Sequence, residues 1–126
     1  MTRTRYSLCA ALVAGVAGFA AGPALAHHSF AMFDTAKEVT LAGTVKDFQW
    51  TNPHSWLQLD VPRGAASVEY SIEMGSPNTM SRHGWHRSTF KPGDKVTVTI
   101  NPMRDGSTGG SLISAIDRDG KRLSMR

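Results

Sequence analysis

From residue 39 onward apolar and polar positions alternate, which is the period of a half-buried strand rather than of a helix. Val39, Leu41, Gly43 and Val45 share one face of a long first strand that runs through Phe48 to Trp50, with a bend expected near Gly43. Thr51-Asn52-Pro53-His54-Ser55 reads as a loop. Leu57, Leu59 and Val61 line a second strand, and Val68, Tyr70, Ile72 and Met74 line a third, with a turn around Arg63-Gly64 between them. Ser76-Pro77 then predicts a helix start, the serine capping and the proline at the first helical position, and the helix should fade by Gly84. Lys91-Pro92-Gly93-Asp94 makes a turn before a fourth strand through Val96, Val98 and Ile100. Arg104-Asp105-Gly106 and Gly109-Gly110 lead into a fifth, from Leu112 to about Asp117.

The order β-β-β-α-β-β is that of the OB-fold, so the chain is expected to form a mainly β, five-stranded antiparallel OB-fold-like barrel with one short helix. A β-sandwich fragment is the alternative. Closure would remove the exposed edges that five strands otherwise leave in so small a domain. Val45, Leu59, Ile72, Val98 and Ile116 are the expected core. No internal repeat or low-complexity segment competes with a single domain over residues 39–126.

Residues 1–26 carry a different pattern: basic Arg3 and Arg5, an apolar run from Leu8 to Ala21, and a small-x-small finish at Ala24-Leu25-Ala26. These are the three parts of a cleaved secretory signal, and the apolar run is shorter than the roughly twenty residues that span a bilayer. The mature protein is expected to begin at His27, to be periplasmic or secreted without a membrane anchor, and to carry a short amino-terminal arm over residues 27–38. Cys9, the one cysteine, leaves with the signal, which excludes disulfides, thiolate metal sites and a cysteine nucleophile. So do Arg3 and Arg5, and the net charge of +4 falls to about +2, too little to argue for a nucleic-acid partner.

Cleavage after Ala26 gives the histidines their interest. A terminal His27 offers an amine and an imidazole on one residue, and His28 adds a second ring. Amine, imidazole and backbone nitrogens suit a tetragonal Cu(II) site. His54, in the loop after the first strand, is the expected outside contributor, because in an OB-fold that loop and the helix region approach one rim. The plainer alternatives are a solvated terminus and a loop histidine bonding backbone groups. His83 and His86 stand i, i+3, but Gly84 between them argues against a shared helical face.

A second constellation is aromatic. Trp50 and Trp56 flank the Asn52-Pro53-His54 loop and Trp85 follows the helix beside Arg82, an arrangement that suits either a stacking platform for a polar ligand or rim packing. Arg104, in Asn101-Pro102-Met103-Arg104-Asp105-Gly106, is a further candidate ligand contact, although that segment is first a turn. Asp34, Glu38, Asp47, Asp60, Glu69 and Glu73 are scattered and read as a solvated face. No nucleophile elbow, phosphate-binding glycine loop or His-Glu-x-x-His helix is present, so binding is favoured over catalysis.

His27-His28-Ser29-Phe30-Ala31-Met32-Phe33-Asp34, Trp50-x-Asn52-Pro53-His54, Arg82-x-Gly84-Trp85, Pro92-Gly93-Asp94 and Asn101-Pro102-x-Arg104-Asp105-Gly106 together resemble the DUF6152 family of small exported bacterial proteins. The resemblance implies export and a barrel-like domain, and supplies no activity or site residues. Two functional expectations stand. One is an exported metal-binding protein, with copper the expected cofactor, acting as carrier, buffer or sensor. The other is a non-metal module for a small polar ligand, a glycan or a protein partner.

Overall fold

The computed structural model describes residues 30–125. A 3-10 turn at Phe30–Met32 precedes β1 (Val39–Gln49), β2 (Trp56–Arg63), β3 (Ala66–Glu73), α1 (Pro77–Ser81), β4 (Lys95–Pro102), β5 (Gly109–Ile116) and β6 (Arg122–Ser124). The strands form one sheet in the order β3-β2-β1-β4-β5-β6, and β3 also pairs with β5 to close a five-stranded barrel. This is the expected OB-like order with one correction: the closing β3–β5 pairing is parallel, so the barrel is mixed rather than wholly antiparallel. Among the described residues no helix is long and apolar enough to cross a membrane.

Two bulges set the barrel's phase. In β1 Val45 pairs with Leu59 and Asp47 with Gln58, leaving Lys46 as an extra residue. Val45 and Phe48 can therefore both face inward although they lie an odd number of residues apart, because the insertion flips the alternation. The bend thus falls two to three residues beyond Gly43, whose own role is close approach. A Cβ there would lie 2.6 Å from the carbonyl oxygen of Asp60.

The second bulge corrects the core. Ile100 pairs with Leu112 and Thr99 with Ser114, so Ile113 is the extra residue on β5. Beyond it Ala115, paired with Val98, turns inward, and Ile116, expected in the core, is 40% exposed. Val45, Leu59, Ile72 and Val98 are buried as expected. Ile72→Ala should cost about 2–5 kcal/mol by lost burial and cavity formation, read as a lower melting temperature.

β5 also begins earlier than its apolar pattern suggests. Gly109 and Gly110 are strand residues, not a turn: they pair with Ser71 and Ile72 at the closing seam, and a Cβ on Gly109 would meet the Ser71 carbonyl oxygen at 2.8 Å. Absence of a side chain lets the two backbones meet there.

One end of the barrel is plugged by α1 and the segment after it. The Ser76 hydroxyl caps α1 by accepting the Thr79 N–H at 3.3 Å, Pro77 occupies the first turn, and Met80 is the helix's buried residue. Trp85, fully buried, packs edge-to-face on Phe90 with ring centroids 5.6 Å apart, and Phe90 does the same on Phe48 at 5.4 Å. The Trp85 indole N–H donates to the Ser124 carbonyl at 3.0 Å. That bond ties down β6, which was not expected from the sequence.

Arg118 ties the turn before β4 to the segment after β5, donating to both Asp94 carboxylate oxygens at 3.1 and 2.9 Å. Burial raises the Asp94 pKa, but the Lys91 N–H and the Arg118 guanidinium outweigh it and hold the carboxyl below its ordinary value of 3.8. A carboxyl depressed in the folded state stabilises above its unfolded pKa and loses that contribution as pH falls through the folded value. The destabilisation caused by Arg118→Ala should therefore be largest above about pH 4 and shrink toward about pH 2, as measured by denaturant melts across that window.

Candidate functional site

The loop after β1 is clipped to the end of β3. The Ser55 N–H donates to the Gly75 carbonyl at 3.0 Å, the Met74 N–H returns to the Ser55 carbonyl at 2.9 Å, and the Thr51 hydroxyl donates to the His54 carbonyl at 2.8 Å. With Trp56 paired to Glu73, these bonds leave His54 beside the last residue of β3. His54 Nδ1 lies 2.9 Å from Glu73 Oε1 and 3.2 Å from the Met74 carbonyl oxygen. Both partners are acceptors, so Nδ1 carries the proton and donates, which places the neutral ring's lone pair on Nε2. A carboxylate-fixed imidazole of this kind is how metal-binding histidines are commonly oriented.

Glu73 corrects the expectation of a solvated carboxylate. Its side chain is only 7% exposed, and Ile72, Glu73 and Met74 are buried in succession. The alternation of β3 gives no warning of this, because the amino-terminal arm and the His54 loop, both outside β3, lie beside Glu73.

The arm lies against the β4–β5 hairpin. The Asp34 N–H donates to the Pro102 carbonyl at 2.8 Å, the Asn101 side-chain amide donates to the Lys37 carbonyl at 2.8 Å, and Phe33 is buried in a bridge to Met103. Arg104, a candidate ligand contact in the sequence, serves this junction: its backbone N–H donates to the Met32 carbonyl and its Nε to the Ala31 carbonyl, both at 2.9 Å. The guanidinium also stands 3.8 Å from the Asp34 carboxylate. A hydrogen bond from Lys37 is the main cause holding that carboxyl below 3.8.

Phe30, at the start of the described arm, and Thr35 border a cavity of about 310 Å³ whose other walls include His54, Glu73, Asn101 and Met125. His27 and His28, the expected primary ligands, lie outside the described residues. Among the described residues no group of three or more His, Cys, Asp or Glu side chains could hold a metal ion by itself.

The other candidates do not join this cavity. His83 is exposed and its Nδ1 bonds the Thr79 carbonyl at 3.0 Å, while His86 lies beyond the left-handed Gly84 and is exposed. The tryptophans form no shared platform. Trp85 is fully buried and has no ring face to offer, a correction that follows from its place in the end plug. Trp50 packs half-buried against Phe48, with centroids 5.9 Å apart. Trp56 is the one of the three that borders a described cavity, and Arg82 is exposed at the end of α1.

The model of the family described as "Family of unknown function (DUF6152)" matches residues 15–113. No curated protein and no solved structure matches the chain. Since the family match runs from before the arm, through the His54 loop and Glu73, into β5, the chain belongs to the DUF6152 family.

Proposed function

We propose that this is an exported copper-binding protein in which the processed amino terminus, with His27 and His28, chelates Cu(II) and His54 completes the site, the protein acting as carrier, buffer or sensor. The observation that carries this reading is the His54–Glu73 pair set in a cavity that Phe30 also borders. His27 lies three positions before Phe30, a span of at most about 10 Å in extended chain, which suits a terminus that meets His54. Terminal amine and imidazoles give an all-nitrogen donor set of the kind Cu(II) favours. Glu73 would act as the carboxylate that fixes the His54 ring and raises its basicity.

Calorimetric titration of the processed protein with Cu(II) tests the role of the barrel. His54→Ala should weaken binding by about tenfold or more, and Glu73→Gln by about 10–100-fold, the range usual for groups that orient a metal ligand. Unchanged affinity in His54→Ala would confine copper to the tail and remove the preorganised site.

The same cavity supports a second reading, a module for a small polar ligand, since its volume falls at the lower end of that of small-molecule sites. Titration with glycans and small anions, read by tryptophan fluorescence, would show saturable binding in the absence of copper if that reading holds.

A further inference from the structure

Glu73 has an oxygen that the pairing with His54 does not use. Oε1 faces His54, whereas Oε2 is buried with no hydrogen-bond partner among the described residues. Leaving a carboxylate oxygen buried and unpartnered is costly, which points to a positively charged or donating group that belongs beside it.

Glu73 also borders a second cavity, of about 210 Å³, whose walls include Trp56, Phe33, Met32 and Met103. The two methionines come from separate segments that the backbone holds together. Phe33 pairs with Met103, the Arg104 N–H donates to the Met32 carbonyl at 2.9 Å, and the Met103 N–H donates to the Gly109 carbonyl at 3.2 Å. Met32 is 39% exposed despite its apolar side chain, so the cavity can be reached from solvent.

Thioethers are soft, weakly basic donors that select Cu(I) over harder or divalent ions. An indole face attracts a cation, and a buried carboxylate supplies the countercharge. We propose that this cavity is a Cu(I) site in which Met32 and Met103 are the ligands, Trp56 forms the wall over the ion and Glu73 balances its charge. The site needs none of residues 27–29 and shares with the proposed Cu(II) site only Glu73, through its other oxygen.

Ag(I), a redox-inert analogue with the same preference for thioethers, is the probe. It would be titrated into the processed protein with 13C-labelled methionine methyl groups, and into Met32→Leu/Met103→Leu and His27→Ala/His28→Ala. Leucine keeps the packing volume, so the first double variant should melt as the parent does. The expected result is that Ag(I) shifts the Met32 and Met103 methyl signals and leaves that of fully buried Met80 in place. Met32→Leu/Met103→Leu should bind Ag(I) about tenfold more weakly or worse while its Cu(II) affinity is unchanged. His27→Ala/His28→Ala should retain the methionine shifts. Unmoved methyl signals, equal Ag(I) affinity without the two thioethers, or loss of all Ag(I) binding with the terminal histidines would each overturn the proposal. Saturable tetramethylammonium binding that Ag(I) cannot displace would overturn it in favour of an organic-cation pocket. Apart from the Cu(II) comparison, none of these readouts changes if the Cu(II) chelate fails.

Discussion

Trp85→Ala should cost about 3–5 kcal/mol, the range for removing a large buried aromatic side chain. For a domain of this size that corresponds to a fall in melting temperature of more than about 12 °C. The residue has no solvent exposure, lies in the chain of rings that runs through Phe90 to Phe48, and donates its indole N–H to Ser124. Alanine would open a cavity in the end plug and release β6. Trp85→Phe keeps an aromatic ring but loses the hydrogen bond, so its cost should be smaller, and β6 amides should exchange faster in it than in the parent. Denaturant melts of both variants decide the point; a loss below about 1 kcal/mol in Trp85→Ala would contradict the role given to the plug.

The barrel's strands were legible because period two survives wherever one face is buried, as along Leu57–Leu59–Val61 and Val96–Val98–Ile100. What pattern could not reveal was where that period slips. Ile113 is apolar like its neighbours, and nothing in its identity marks it as the inserted residue that turns Ile116 outward. Gly109-Gly110 looked like turn chemistry because glycine signals both a turn and a close backbone approach. β6 is three residues long, too short to show an alternation of its own, and is held by its pairing with β5 and by the Trp85 bond.

The candidate site was legible in part. His54 was recognisable from its loop, whereas Glu73 was not, because its burial depends on an arm more than thirty residues away in sequence meeting the end of β3. Arg104 was singled out for a ligand but holds that arm through Ala31 and Met32. Arg104→Ala should accordingly loosen the arm before it disturbs the barrel. Amide exchange should rise over residues 31–37 and stay unchanged in β2 and β4; equal protection in the arm would show that the backbone contacts suffice alone.

Calorimetry with Cu(II) on protein that begins at His27, set against protein carrying one additional residue before it, tests the terminal chelate most directly. The extension preserves the barrel, both terminal imidazoles and the His54–Glu73 pair, and moves the α-amine away from the His27 ring. Binding to the form that begins at His27 should be tighter by about 10–100-fold, equivalent to about 1.4–2.7 kcal/mol. Equal affinity in the two forms would contradict the terminal chelate and leave the small-polar-ligand reading in its place.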